Sequence, residues 1–471
     1  MFALRITDQL FGLARLIILA RLLAPADFGL FGIALLAMSA LETFSQTGFS
    51  AALIQKNEDI KPYLDTAWTV QLIRGTILAL ILFAVAPYIA AFFDAPAAKS
   101  ILQVIGLSVL FQGFTSVGVI YFQKELEFHK QFAYMFSGTL VNVGVAILAA
   151  FLLRSVWALV FGLLAGNLMR MVVSYFIHPY RPHIHFSRKQ FKELFGFGKW
   201  IFGSSMLVFL ITQGDDIFVG KFLGVAALGF YQLAYKISNM PTTEIAHVIS
   251  QVTFPVYSML QDNINKLSNA YLKVLQLTTF ISMPLAGLIF ILAPEFTILF
   301  LGEKWMPMVP AMQVLVLAGL VRSIAATTGP IFYAVGKPKV ETKWQVVRLF
   351  VMAALIYPFT IKWGILGASI VVFLSISISS VGFSYMCIKI IKCGFKNFSK
   401  MVALPLINGI VMVSSIFALK IYTNTTGILT LFLLIGAGIF IYLGIAYLFD
   451  KHLNYKMQLL IKESLCSFRR S

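Results

Sequence analysis

The sequence predicts an all-α membrane protein that crosses the bilayer many times. Hydrophobic residues make up 59% of the 471-residue chain and charged residues 12%, which is more apolar surface than a soluble core of this size could bury. Apolar runs of about 20 residues recur from end to end, and each is long enough to cross roughly 30 Å of hydrocarbon. The short alternating strands of a membrane barrel do not occur in the sequence.

The second observation is an internal match at a shift of 200 residues. The stretch ARLLAPADFGLFGIA at 20–34 aligns with GKFLGVAALGFYQLA at 220–234. In both stretches an apolar helix ends beside a cation, and a turn containing Pro or Gly leads into the next helix. Such a repeat indicates two copies of one helical unit, a common plan among transporters. The identical positions are Leu23/Leu223, Ala26/Ala226, Gly29/Gly229 and Ala34/Ala234.

Hydropathy predicts about 14 spans. In the first half they lie at roughly 2–20, 28–55, 65–93, 98–123, 131–153 and 156–178. In the second half they lie at roughly 199–220, 228–255, 269–300, 306–335, 341–361, 363–388, 401–422 and 426–449.

The repeat turns these spans into a domain plan. It predicts two pseudo-symmetric six-helix lobes around a central cavity, at 1–178 and 199–388. A basic linker at 179–198 joins the lobes. A helix pair at 389–449 and a basic tail at 450–471 complete the chain.

The loops predict the orientation. Lys and Arg are concentrated in the loops on the linker's side and in the tail, whereas the opposite loops carry few. By the positive-inside rule, the linker and both termini are cytoplasmic. The net charge of +18 is therefore an orientation signal and does not indicate nucleic-acid binding.

Charged residues inside predicted spans are candidates for function, because burial in a membrane is costly. Arg5 and Arg15 share one face of the first span with Asp8, so this face is expected to line a water-filled cavity. Arg5 could instead extend to the cytoplasmic headgroups. The deepest arginines are Arg74 and Arg322.

The remaining intramembrane charges divide by their place in the span. Arg170 and Arg348 lie near cytoplasmic span ends, where extension to the headgroups is expected. Lys236 lies within a span and joins the cationic candidates for substrate binding.

The acidic candidates for ion coupling are Asp215, Asp216, Glu42 and Glu244. The 200-residue shift places Asp215 opposite Arg15, so the two could face each other across the cavity. His247 lies three residues after Glu244 on the same helical face and could carry a proton with it. A satisfied buried pair would explain the same spacing.

Several other functions are disfavoured. The histidines of the linker have no Cys or acidic companions, so no metal site is expected. No Walker A sequence occurs, and no cofactor is indicated. The outward loops are too short to build an enzyme active site, so the chain is not expected to be an enzyme.

Several motifs together resemble the polysaccharide exporter family of Wzx-type flippases, within the multidrug/oligosaccharidyl-lipid/polysaccharide superfamily. They include LARLLAPADFGLFGIA, TGFSAALIQKNED, DDIFVGKFLGVAALGFYQLAYKISNMP and LGEKWMPMVPAMQVL. The resemblance covers nearly the whole chain. It is specific for the family but not for the sugar.

The resemblance implies a flippase of the bacterial inner membrane. Its cargo would be an oligosaccharide on undecaprenyl pyrophosphate, moved to the outer leaflet by alternating access and coupled to an ion gradient. The arginines would bind the pyrophosphate, because guanidinium groups match phosphate geometry. Membrane lipids, the polysaccharide polymerase and glycosyltransferases are further candidate partners. The alternative is a drug or metabolite cation antiporter of the same superfamily.

Overall fold

The computed structural model describes residues 2–56, 59–422 and 427–453. Within these ranges, side chains are described except at 2–8, 10, 196–204, 241–248 and 250–252. The candidate residues Arg5, Glu244 and His247 therefore lie outside the described side chains. Most of the predicted basic tail, residues 454–471, lies outside the description as well.

Every regular element in the described ranges is helical, which confirms the predicted all-α class. The chain divides into two compact units, Met1–Gln232 and Leu233–Ser471. In the described part, nine helices are long and apolar enough to cross a membrane, or ten if a bent pair counts as one span. The total of 14 spans and the six-plus-six lobe plan remain predictions.

Unit one contains nine helices and the first turns of a tenth. The elements are α1 (Phe2–Leu22), α2 (Pro25–Phe44), α3 (Phe49–Gln55), α4 (Lys61–Phe92), α5 (Ala98–Phe114), α6 (Ile120–Lys124), α7 (Phe128–Leu153), α8 (Trp157–Phe176), α9 (Arg188–Leu223) and α10 (Val225–Met259). Helix α9 begins inside the segment predicted as the linker, since Arg188 already opens it.

Small residues let the helices of unit one approach closely. Helices α7 and α8 form a hairpin in which a Cβ atom on Gly162 would lie 2.6 Å from that of Ala146. Close approach over small residues is a general device of membrane helices. Leu19 of α1 and Leu23, which follows it, pack with Leu159 of α8 in the apolar core that joins α1 to this hairpin.

Pro25 and Asp27 fix the start of α2. A proline suits the first helical turn because its missing N–H has no partner there anyway. Asp27 accepts a hydrogen bond from the Ala24 N–H at 2.8 Å and another from the Val156 N–H at 3.0 Å. One carboxylate thus caps α2 and holds the α7–α8 loop beside it.

Unit two contains the rest of α10 and five further helices. They are α11 (Ile264–Phe296), α12 (Val309–Ala334), α13 (Lys339–Ile391), α14 (Phe395–Tyr422) and α15 (Ile428–Leu453). Its apolar core joins α11 and α12 to α14 and α15, and a second cluster joins α10, α11, α12 and α13.

Helix α13 is bent into two limbs at Gly364, whose φ of 59° and ψ of −139° are not helical. Glycine adopts this left-handed φ without strain. The limbs run back along each other, because a Cβ on Gly382 would lie 2.3 Å from the Trp344 ring and one on Gly367 would lie 1.9 Å from the Phe359 carbonyl oxygen.

Candidate functional site

Two helix breaks in unit one line the same cavity, which has a volume of about 670 Å³. The first separates α2 from α3, where Gly48 has a φ of 70°. The second bends the chain by 67° between α5 and the segment that contains α6. Irregular backbone at membrane depth is tolerated where it is buried in protein or lines a polar cavity. The two breaks therefore mark this cavity as a candidate site.

Helix α4 satisfies both breaks with two side chains one turn apart. The Gln71 carboxamide donates hydrogen bonds to the carbonyls of Gln112 at 2.9 Å and Thr115 at 3.1 Å. Arg74 donates to the Glu42 carbonyl and to the Ser45 hydroxyl, both at 3.0 Å. The carbonyls at the end of each broken helix thus find donors outside the helix.

The cavity is lined by one carboxyl group, one guanidinium group and several carboxamides. The Glu42 carboxyl lies in the same lining as the Gln112 side chain, and its Oε1 atom is buried without a hydrogen-bond partner. A carboxamide can both donate and accept, as a sugar hydroxyl does. The polar lining residues are Glu42, Thr43, Gln46, Thr47, Ser50, Gln71, Arg74, Gln112 and Gln123.

A second polar cluster in unit one surrounds the two predicted acids of α9. Asp215 is 3% exposed and accepts a hydrogen bond from the Tyr231 hydroxyl at 2.7 Å. The Asp216 side chain lies near Gln232, and its Oδ1 atom is buried without a partner. Gly32 of α2 leaves room for Gln232, since a Cβ there would lie 2.1 Å from the carboxamide oxygen.

The predicted pairing of Arg15 with Asp215 is not formed in this conformation. Among the described residues, Arg15 makes no ion pair, and its Nε atom is buried without a hydrogen-bond partner. Arg15 as a whole is half-buried. It therefore retains donor capacity for an anion.

Unit two has a cavity of its own, of about 370 Å³, between α12 and the two limbs of α13. Arg322 and Arg348 both line it. The Arg322 guanidinium donates to the Tyr235 hydroxyl at 2.7 Å and lies 5.5 Å from the centre of that ring. The Oε2 atom of Glu341, also in the lining, is buried without a partner.

The candidate residues from the sequence are thus distributed over separate sites in the structure. Arg74 and Glu42 lie in the unit-one cavity, and Arg322 lies in the unit-two cavity. Lys236 is exposed on α10 and lines neither of these cavities. Asp216 belongs to the α9 cluster.

Sequence reasoning missed three parts of these sites. Arg348 was not among the substrate-binding candidates, and it lines the same cavity as Arg322. Glu341 and Tyr235 were not singled out, and neither were the carboxamides of unit one. Recurrent glutamines within apolar spans, at 46, 71, 112 and 123, are a signal that the sequence did contain.

An all-helical chain with polar cavities at broken membrane helices defines a polytopic membrane transporter. The chain belongs to the polysaccharide biosynthesis protein family, whose model matches residues 18–310. This result confirms the family resemblance stated from the motifs.

Two relatives and one solved structure illustrate the similarity. The chain is 26% identical to the lipopolysaccharide biosynthesis protein WzxC of Escherichia coli K12, over 72% of this chain and 69% of the relative. It is 24% identical to the succinoglycan biosynthesis transport protein ExoT of Rhizobium meliloti, over 78% and 75% respectively. Its fold matches the lipid II flippase MurJ in an inward closed conformation, with a TM-score of 0.78 and 16% identity over 96% of this chain and 98% of that one.

Proposed function

We propose that the protein is a flippase that moves undecaprenyl-pyrophosphate-linked oligosaccharide units from the cytoplasmic to the outer leaflet. The observation that carries the proposal is the cavity shared by Arg322 and Arg348. Two guanidinium groups in one cavity suit a pyrophosphate, because a guanidinium can form two parallel hydrogen bonds with phosphate oxygens. The names of the relatives, a lipopolysaccharide biosynthesis protein and a succinoglycan transport protein, support the same cargo class.

The unit-one cavity would receive the sugar. Its carboxamides and single acid match hydroxyl groups, which both donate and accept hydrogen bonds. Arg74, engaged with the Glu42 carbonyl and the Ser45 hydroxyl, would mainly hold the broken helix in place. The prenyl chain would remain in the bilayer during transport.

Ion coupling would use the buried acids of unit one. Glu42 and Asp216 each have a buried carboxyl oxygen without a partner. Burying such an oxygen costs more free energy in a carboxylate than in a protonated acid. Asp215, Glu244 and His247 are the further candidates. Arg15 would bind cargo phosphate in another state of the cycle.

The membrane, the orientation and the lobe arrangement of the protein belong to the same proposal. The protein would lie in the bacterial inner membrane with both termini in the cytoplasm. Two lobes, 1–178 and 199–388, would alternate in access, with the pair at 389–449 appended. The polymerase and glycosyltransferases of the pathway are candidate partners, and the protein itself would carry out transport without enzymatic chemistry.

The test is a flipping assay in proteoliposomes with undecaprenyl pyrophosphate that carries one fluorescent N-acetylglucosamine. Arg322→Ala and Arg348→Ala should each lose about 2 kcal/mol of phosphate binding, roughly a 30-fold loss of transport at low cargo concentration. Arg322→Lys should restore only part, because an ammonium group cannot bind in a bidentate manner.

The matched control is Lys99→Ala, which removes an exposed cation on the outward side. It should flip the probe like the wild type. Wild-type flipping by both arginine variants would contradict the proposal. Transport of a cationic dye such as ethidium, with no flipping of the lipid probe, would favour the antiporter alternative.

A further inference from the structure

The segment between α8 and α9, residues 178–187, forms a strap that lies across α4. Alternate backbone N–H groups of this strap donate hydrogen bonds to side chains of that helix. The His183 N–H donates to Asp65 and the His185 N–H to Thr69, both at 3.0 Å. The Ser187 N–H donates to Thr66 at 3.2 Å.

Side chains at both ends add to this attachment. The Tyr180 hydroxyl donates to the Asp65 carboxylate. Burial, together with this carboxylate, raises the pKa of Tyr180 well above its ordinary value, so the hydroxyl stays protonated as a donor. At the other end, the Thr66 hydroxyl donates to the Gln190 carboxamide at 2.6 Å. The strap is therefore a fixed part of unit one.

The strap carries two large exposed apolar side chains, Ile184 and Phe186, on the side opposite to the exposed His183 and His185; Phe186 also contacts the Phe191 ring, with ring centroids 5.6 Å apart. Successive residues of an extended chain point to opposite sides, and Ile184 and Phe186 lie between the residues whose N–H groups bond to α4. Ile184 is 79% exposed and Phe186 is 54% exposed. Phe176, just before the strap, is 81% exposed. Contiguous exposure of this kind marks an interaction surface.

The face of α4 under the strap continues into a stripe of exposed aliphatic side chains. Thr66 and Thr69 lie on the same helical stripe as Ile73, Ile77 and Leu80, at spacings of three and four residues. Those three aliphatic side chains are 51%, 49% and 64% exposed, as expected for contact with lipid tails. The strap therefore crosses the end of a lipid-facing stripe.

Four basic side chains lie in or next to the strap, and the Asp65 carboxylate beneath it accepts hydrogen bonds from the strap. Arg181 in the strap and Arg188, Lys189 and Lys192 at the start of α9 are all exposed. The neighbouring acid, Glu193, is already bound to Lys56 at 3.4 Å and to the Tyr63 hydroxyl at 2.7 Å. Basic and apolar side chains together fit the anionic surface of a cytoplasmic leaflet.

We infer that the strap is a binding surface for anionic phospholipid. Ile184 and Phe186 insert at the boundary between headgroups and acyl chains, and the four basic side chains bind lipid phosphates. The hydrogen bonds of the strap to α4 hold this surface at a fixed depth. The inference does not depend on the identity of the cargo.

The first test measures depth with nitroxide labels. The full-length protein, with its three cysteines changed to alanine, receives one label at Ile184→Cys, Phe186→Cys, His183→Cys or His185→Cys. Each variant is placed in nanodiscs of phosphatidylglycerol mixed with phosphatidylcholine. The strap bonds to α4 through its backbone at 183 and 185, so these substitutions keep the attachment.

We expect an alternating pattern. Labels at 184 and 186 should show a higher ratio of oxygen to nickel-chelate accessibility than labels at 183 and 185, because oxygen concentrates in the acyl region. Equal access of the nickel chelate to all four positions would overturn the inference. A pattern with 183 and 185 in lipid would overturn it too.

The second test removes the charge. The label at 184 should be more mobile in pure phosphatidylcholine than with phosphatidylglycerol present, and the Arg188→Gln/Lys189→Gln/Lys192→Gln variant should lose this difference. Lys337→Gln/Lys339→Gln is the matched control, since these lysines are exposed in another predicted cytoplasmic loop. Added inorganic phosphate should not mimic the lipid. If the protein labelled at 184, with all its basic residues in place, gives identical spectra in both lipids, anionic-lipid binding is contradicted.

Discussion

Gly29 of α2 and Gly229 of α10 pack against each other's helix in a reciprocal way. A Cβ atom on Gly29 would lie 1.8 Å from the Val225 carbonyl oxygen, and one on Gly229 would lie 2.0 Å from the Pro25 carbonyl oxygen. These four positions are related by the same 200-residue shift. The two copies of the repeat therefore contact each other here, backbone against backbone, and the two contacts are related by a local two-fold relationship.

Gly29→Ala should destabilise the protein. The new methyl group would overlap a backbone oxygen, which cannot rotate away, so α2 and α10 would have to separate at a cost of about 1–3 kcal/mol. Gly144→Ala in α7 is the matched control, since nothing lies within 4 Å of its added Cβ. Thermal unfolding in one detergent compares the two. Equal unfolding temperatures would show that the crossing is not tight.

Asp215→Asn should uncouple transport from the pH gradient. The amide keeps the size of the carboxyl and can still accept the Tyr231 hydroxyl hydrogen bond, but it cannot take up a proton. Flipping is measured in proteoliposomes with and without an imposed gradient. Tyr231→Phe serves as the control, because it removes the hydrogen bond of 2.7 Å and keeps the acid.

The two results separate coupling from structure. Lost gradient dependence in Asp215→Asn, with dependence retained in Tyr231→Phe, is the expected outcome. An identical response of wild type and Asp215→Asn to the gradient would limit Asp215 to a structural role. The same measurement on Glu42→Gln and Asp216→Asn examines the other two acids.

Lys420→Met should be strongly destabilising. The Lys420 ammonium lies 2.6 Å from the Glu295 carboxylate and 3.0 Å from the Ile291 carbonyl oxygen. The two side chains of this ion pair are only 18% and 10% exposed. Removal of one partner leaves a buried unpaired charge, which costs about 3–5 kcal/mol.

The double variant Lys420→Met/Glu295→Leu provides the control for this pair. It should recover much of the stability, because no charge remains buried. Denaturation in detergent measures both. A double variant less stable than Lys420→Met would show that the pair is not the cause.

The strap should loosen as the pH falls below 6.5. His178 stacks on the Tyr121 ring at 4.9 Å and accepts the Tyr180 N–H at its Nδ1 atom, at 3.1 Å. Burial, followed by the neighbouring Lys130, lowers the pKa of His178 below its ordinary value of 6.5. Glu125 and Glu127 raise the pKa by less, and Arg181 lowers it slightly further. The stabilisation from the neutral imidazole is therefore fully present above pH 6.5 and is lost as the pH falls through the lowered pKa of the folded state.

Hydrogen-exchange protection of the strap amides, corrected for intrinsic rates, measures this loss between about pH 7.5 and about pH 5.5. His178→Phe keeps an aromatic ring against Tyr121 and does not titrate. Its protection should be lower at high pH and nearly independent of pH. An unchanged pH dependence in this variant would assign the effect to another group.

Much of the fold follows from sequence. The predicted span at 131–153 corresponds to α7 (Phe128–Leu153), and the spans at 341–361 and 363–388 correspond to the two limbs of α13. The span predicted at 28–55 is instead divided into α2 and α3, because hydropathy averages over a break of four residues such as the one that ends at Gly48. The helical start of α9 at Arg188 was hidden by its polar composition.

The sequence by itself determined the all-α membrane class, the internal repeat and the family, since each depends on local composition or on motif order. Only the tertiary structure decided which side chains meet. It placed Arg348 and Arg322 in one cavity, bonded Arg74 to the C-terminal end of α2, and laid the strap on α4. The physical reason is that hydropathy fixes where a helix lies along the chain, whereas its rotation and its neighbours depend on packing with helices distant in sequence.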